Sequence, residues 1–203
     1  MDPVHYLIAA LAAFAAGAVN ALAGGGTLIT FPILTALGLP AVTANITSTV
    51  SLFLGYFGAT WAQRHDLKGQ RNRLIAFLPA AALGGLIGGL LLLYSGEKVF
   101  NQLVPFLILF ASLLLALGEP LRKRLVSQGT LQHGLTAARL GIIAIPVSLA
   151  AVYGGYFGAG LSVIVLAILA LLLDDTLTRL NALKQFIAFA ANTAAAVLFL
   201  FSG

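Results

Sequence analysis

The sequence predicts an all-α protein: a polytopic transmembrane helical bundle with an internal repeat of glycine-broken helices. Three observations carry that reading. Of 203 residues, 60% are hydrophobic and only 8% charged, where a soluble domain holds about 25% charged residues, and the mean hydropathy is +1.02. The chain divides into apolar runs that match the roughly 20 residues a bilayer core demands of each helix. Two of those runs are interrupted by glycine clusters at corresponding points.

The first run, 5–37, holds "AGGGTLITFP" at its centre. Glycine loses the most entropy on ordering, and proline lacks a donor and clashes with the preceding turn. A plain lipid-facing helix gains from neither. The stretch before it has no basic n-region and reads as a retained span, not a cleaved signal peptide. Clear spans follow at 41–63, 74–94 and 99–118. The span 74–94 contains "GGLIGGLLL" (Gly84, Gly85, Gly88, Gly89), whose small residues four apart let helix backbones approach closely. A second interrupted run covers 139–173, and a last span covers 177–201. Each interrupted run is either a broken span with an extra half-helix or a re-entrant hairpin. The basic loops 64–73 (Arg64, Lys68, Arg71, Arg73) and 119–138 (Arg122, Lys123, Arg124) are expected on the cytoplasmic side of a bacterial inner membrane. The net charge of +5 is thus a topology signal and not a nucleic-acid footprint.

Residues 17–34, "GAVNALAGGGTLITFPIL", align with 151–168, "AVYGGYFGAGLSVIVLAI". Gly24, Gly25 and Gly26 fall on Gly158, Ala159 and Gly160, and Asn20 falls on Gly154. Each is followed by a polar-dotted span, in which Thr47 falls on Lys184 and Gly55 on Asn192. The division expected is a first membrane repeat at 1–118, a cytoplasmic linker at 119–138 and an incomplete second repeat at 139–203. Paired glycine-interrupted segments in two halves point to a transporter's binding site. A break frees backbone N–H and C=O groups that cannot face lipid, and half-helix N-termini suit an anion. About 16 residues on each side of the glycines are short for two full spans, which favours inverted halves.

The acids Asp2, Asp66, Glu97, Glu119, Asp174 and Asp175 and the histidines His5, His65 and His133 all fall at termini or loops. Proton relays place such groups mid-membrane, so proton coupling through a buried acid is not expected. Lys184, about two turns into the last span, reads as an anion contact, against the alternative that its stem snorkels to the interface. Arg179 is expected at the interface, paired with Asp174 or Asp175. Asn192 lies on roughly the same face as Lys184 and either donates to an anion or makes an interhelical bond. Asn20 is similar. Ser48 is expected to bond back to its own helix, which keeps Thr47 as the candidate. The candidate substrate-binding set is Asn20, Gly24, Gly25, Gly26, Thr27, Thr47, Gly158, Gly160, Lys184 and Asn192. No cofactor or metal is expected, for want of ligands. An intramembrane Ser162–Lys184 hydrolase has no feature placing that pair together. The competing reading is a non-transporting subunit or scaffold. Expected partners are a small anionic substrate and the lipid bilayer, with homo-oligomerisation left open.

"GAVNALAGGGTLITFPILTALGLPAVTANITSTVS" resembles the first-repeat signature of the TauE/SafE sulfite-exporter family, with its glycine cluster, Gly38-Leu39-Pro40 corner and Ala44-x-x-Thr47-Ser48 entry. "YGGYFGAG" followed by "NALKQFIAFAANTAAAVLF" resembles the second, including Lys184 and Asn192. The resemblance covers nearly the whole chain and implies a polytopic inner-membrane transporter of sulfite, sulfonates and related organosulfur anions. In the absence of a buried acid, a channel-like or facilitated mechanism is the expected form. The chain departs from the family in one respect: equivalents of the spans 74–94 and 99–118 are missing from the second half. That is expected of a truncated product, a bundle completed by partners or a short natural variant.

Overall fold

The computed structural model describes residues 3–22, 24–127 and 136–202. Seven α-helices occur among them: α1 (Pro3–Leu22), α2 (Thr27–Ala36), α3 (Ala41–Ala62), α4 (Arg71–Ser127), α5 (Ala137–Tyr156), α6 (Leu161–Leu172) and α7 (Leu177–Phe201), with a 3-10 turn at Arg64–Leu67. α4 is two antiparallel arms, 71–95 and 97–127, joined where Gly96 takes φ 67 and ψ 174. These arms are the expected spans 74–94 and 99–118. Residues 119–127 of the expected linker continue the second arm, and 128–135 lie outside the described residues.

The stretches 3–20, 71–114, 137–156 and 177–201 are long and apolar enough to cross a membrane. α3 is long enough at 22 residues but is not among these apolar stretches, because it turns Asn45, Ser48, Thr49 and Thr60 into the protein, all under 7% exposed. Lipid-facing side chains such as Leu54, Leu83, Phe106 and Ile142 remain on the outside.

Contacts fix the sense of each helix. Gln63 meets Asn181, Thr60 meets Gln185 and Thr49 meets Asn192, so α3 and α7 run antiparallel. The first arm of α4 runs parallel to α5, with Gly84 against Ser148 and Ala151 and Gly88 against Val152 and Tyr156. α2 folds back along α1, with Gly26 against Ala16 and Asn20. α6 folds back along α5, with Gly154 against Leu161. Each interrupted run is therefore a helical hairpin. The unit α1–α2–α3 recurs as α5–α6–α7 in the opposite sense, and the two are inverted with respect to one another.

The glycine stripe of α4 packs against α5 and α7, within the second of these units. A Cβ at Gly85 would stand 2.2 Å from the Ala191 carbonyl oxygen, and one at Gly88 would stand 2.0 Å from that of Val152. Without a hydrophobic driving force between helices in lipid, this close approach supplies the dispersion contact that holds them together.

The two ends of the bundle are tied differently. At the Gly96 end, the left-handed Gly38 (φ 91) closes α2, and the Val42 N–H donates to Glu97 Oε1 at 2.9 Å. At the other end, Asp175 accepts from Arg73 and from Arg179 Nε (2.8 Å). Arg179 also donates to the Lys68 carbonyl, and Gln70 donates to the carbonyls of Asp66 and Arg179. Asp175, not Asp174, is thus the partner of Arg179, and the α6–α7 corner is strapped to the basic loop.

Two predictions follow from this packing. Gly85→Val puts side-chain atoms into the Ala191 backbone, an overpacking worth about 3 kcal/mol or more; thermal unfolding in detergent should show a large loss of stability, while Gly141→Val, in open space, should not. Burial alone would raise the Asp175 pKa, but the bonds from Arg73, Arg179 and the Thr176 N–H outweigh it and hold the carboxyl below its ordinary 3.8. A depressed folded pKa contributes stability that is present above the unfolded value and lost as pH falls through the folded one. The strap should therefore be intact from about pH 5 upward and fail only below about pH 4. Unfolding followed against pH should show that acid limb in the wild type and a weaker one in Asp175→Asn.

Candidate functional site

The site is built where the two hairpins end. Gly24 and Gly158 each take φ 84, and Gly160 takes φ 78, a left-handed backbone that costs other residues about 1–2 kcal/mol. α2 starts from Gly26 and α6 from Gly160. The breaks touch reciprocally. A Cβ on Gly24 would lie 2.1 Å from Ser162 Cβ, in the first turn of α6, and one on Gly158 would lie 3.3 Å from Thr27 Oγ1, in the first turn of α2. From this junction α2 runs toward the Gly96 end and α6 toward the basic-loop end. Two helix N-termini, each with about half a positive charge, therefore meet at this contact.

Neutral polar side chains surround the meeting point. Tyr56 is 3% exposed, with Asn20 and Ser162 within hydrogen-bonding reach of its phenol. Ser162 is fully buried, and its Oγ has no well-aligned partner. The hydroxyls of Thr30 and Ser48 pair, and Thr30 Oγ1 also reaches the Gly26 carbonyl at 3.3 Å. The Asn45 amide donates to the Tyr156 carbonyl at 2.9 Å, while its Oδ1 is buried without a partner.

The two sides of the junction differ. Toward the Gly96 end, Phe31, Phe100 and Phe157 pack edge-on or tilted at centroid distances of 5.6 to 6.2 Å and are at most 3% exposed. Toward the basic-loop end lies a cavity of about 380 Å³ lined by Gln63, Asp66, Leu166, Leu177, Thr178 and Asn181. Leu166 lies one turn from Ser162 on the same face of α6.

Of the candidate residues, Asn20, Gly24, Gly25, Gly26, Thr27 and Gly158 come together at this junction, and all but the half-buried Gly158 are buried. Thr47 does not: it is exposed, on the face of α3 opposite Tyr56, and its hydroxyl bonds back to the Thr43 carbonyl at 2.8 Å. The expectation for the 47–48 pair is thus reversed, since Ser48 is the inward residue. Gly160 faces the second arm of α4 at Ala111. Asn192 makes the interhelical bond, donating to the Thr49 carbonyl at 3.1 Å. Lys184 does not snorkel; at 2% exposed it is enclosed by protein beside the fully buried Gln185. Tyr56, Ser162, Thr30 and Asn45 were not among the candidates. The signal for the α3 members was available: 45, 48, 49, 52, 56 and 60 form one face of a helix.

An inverted pair of broken helices, meeting inside a polytopic bundle and lined with hydroxyls and amides, defines the class: a membrane transporter built on inverted repeats. The sulfite exporter TauE/SafE family model matches residues 9–203, and the chain belongs to that family. A protein of Haemophilus influenzae named "Probable membrane transporter protein" is 30% identical over 195 residues, spanning 94% of this chain and 72% of that one. A Sinorhizobium protein named "Probable membrane transporter protein ORF9" is 28% identical over 207 residues, spanning 100% and 76%. No solved structure matches. The protein is a multi-pass membrane transporter and not an enzyme.

The reciprocal contact yields a double-mutant test. Gly24→Ala strains a left-handed position and drives a methyl group into Ser162, at a combined cost of about 2–4 kcal/mol. Adding Ser162→Gly should recover part of that loss in thermal unfolding, because it removes the overlap and leaves only the strain. Full additivity of the two losses would mean the breaks do not touch.

Proposed function

We propose that this transporter carries small anions, specifically sulfite, sulfonates or related organosulfur anions, across a bacterial inner membrane through the junction of its two helix breaks. One observation carries the reading: the N-termini of α2 and α6 face each other at a buried contact. Two like half-charges in a low dielectric repel, and an anion between them converts that repulsion into attraction on both sides. The substrate class follows from the family, and the hydroxyl-rich lining suits oxygen acceptors.

Among the described residues, the acids Asp66, Glu97, Asp174 and Asp175 lie on end loops, corners or turns, and Glu119 lies in the last part of the second arm of α4, beyond the span 99–118. This favours facilitated passage over proton exchange through a buried carboxylate. The basic segments 64–73 and 119–138 would then face the cytoplasm by their charge, and the cavity beside Gln63 and Asn181 would be the entrance on that side. Phe31, Phe100 and Phe157 would form the closed gate opposite. Lys184 would supply the positive charge of the path, and Asn192 would hold α3 on α7.

Uptake of radiolabelled sulfite into proteoliposomes tests this directly. The wild type should give saturable flux down a gradient, and Lys184→Ala should lower it about tenfold, the cost of losing one charge-assisted contact. Normal flux in that variant removes Lys184 from the path. No flux in the wild type favours a scaffold.

A further inference from the structure

We infer that Tyr56, set between Asn20 and Ser162, is the residue that makes the junction select oxyanions over spherical anions; this rests on reading the junction as an anion site. The three side chains come from α1, α3 and α6, so both inverted units contribute, and they are 2%, 3% and 0% exposed respectively. A buried hydroxyl is costly unless it is bonded. Most hydroxyls on the inward face of α3 and beside it have a local solution. Thr49 bonds back to Asn45, Ser51 to Ser48, and Thr30 to Gly26 as well as to Ser48.

Tyr56 has no local solution. Its phenol is too long to reach its own helix's carbonyls and must bond across the bundle. It carries one proton, with two polar neighbours beside it, and Ser162 Oγ is left without an aligned bond. The trio brings together the phenol O–H, the Ser162 O–H and the Asn20 amide N–H groups, and among them Ser162 Oγ is buried without a partner.

An acceptor oxygen placed against them would be shared by Tyr56 and Ser162. Ser162 lies in the first turn of α6, so the same oxygen would also lie at the positive end of that helix. Helix dipoles attract any anion, because their field is non-directional at this range. Hydroxyl donors demand lone pairs at about 2.7–2.8 Å along the O–H direction. A sulfite or sulfonate group offers three oxygens for this, and a halide offers one diffuse sphere. Specificity of this kind comes from donors left unpaired when the wrong ligand binds.

The experiment compares wild type and Tyr56→Phe in proteoliposomes, following radiolabelled sulfite uptake against concentration and chloride permeation in parallel. Phenylalanine keeps the ring and removes only the hydroxyl. The expected result is a sulfite KM raised about tenfold with kcat within about twofold, and unchanged chloride permeation; a tenfold change is what one lost hydrogen bond to a charged ligand gives. A merely structural role would lower kcat, or sulfite and chloride flux together, and would overturn the inference. So would an unchanged KM. If Tyr56→Phe proves unstable by thermal unfolding, Ser162→Ala must give the same split. Failure of the wild type to take up sulfite saturably sinks the anion-site reading itself, whereas equal KM values in two active proteins sink only the role of Tyr56.

Discussion

The structure depends on one constraint: a helix broken inside a membrane frees backbone groups that lipid cannot satisfy, at several kcal/mol each. A single break would have to hide those groups in a pocket of its own. Two breaks that meet can enclose each other, and that is the arrangement here. The left-handed Gly24 admits Ser162, and the left-handed Gly158 admits Thr27. The glycine identity is therefore not only a matter of breaking the helix. Ser162 occupies the space that any side chain at 24 would fill, so the breaks must be bare for the hairpins to reach one another.

Holding two hairpins tip to tip from opposite ends needs scaffolding that neither tip provides. α4 supplies most of it. Its two arms pack chiefly on α5 and α7, with its glycine stripe in backbone contact with both. The turn at Gly96 places Glu97 over the start of α3. Its N-terminal end brings Arg73 to Asp175, which in turn holds Arg179 and the loop carbonyls. An ion pair at an exposed surface is worth little. This one is mostly enclosed, with side-chain exposures of 10% and 13%, and it is part of a network that fixes the corner joining α6 to α7. The polar ends set the register of the hairpins, and the glycine stripe fastens α4 to α5 and α7.

The sequence showed where the spans and breaks lie, because those depend on strong local signals: apolar length, glycine clusters and short basic loops. The Gly96 turn, the order break–short helix–corner–long helix in both halves, and the close-packing role of Gly84 to Gly89 were all legible for that reason. Which face of α3 points inward was not read correctly at 47 and 48. Both residues are small and hydroxylic, so composition does not separate them, and only the period through Asn45, Leu52 and Tyr56 does. Asn192 aligned with the break-bearing half, yet its amide is used by the Thr49 carbonyl, a partner that lies 143 positions away and has no local signature. Ser162 was equally hidden. An isolated serine in an apolar run carries no pattern, and its importance here comes from contact across the inverted units.

A site made of helix ends and hydroxyls also fits what a carrier must do energetically. Conduction needs attraction strong enough for entry and weak enough for exit. Dipolar donors meet that need because their charges are partial and divided between two elements that run apart from the junction. If α6 shifts relative to α2, both half-charges leave the passenger together, and attraction falls without any proton moving. Charged groups make their bonds at the two ends of the bundle, where they anchor the hairpin corners, while at the junction the Ser162 hydroxyl is buried without a partner. In a protein whose described helices hold no carboxylate at the level of the breaks, release by separating dipoles is the physical alternative to release by protonation.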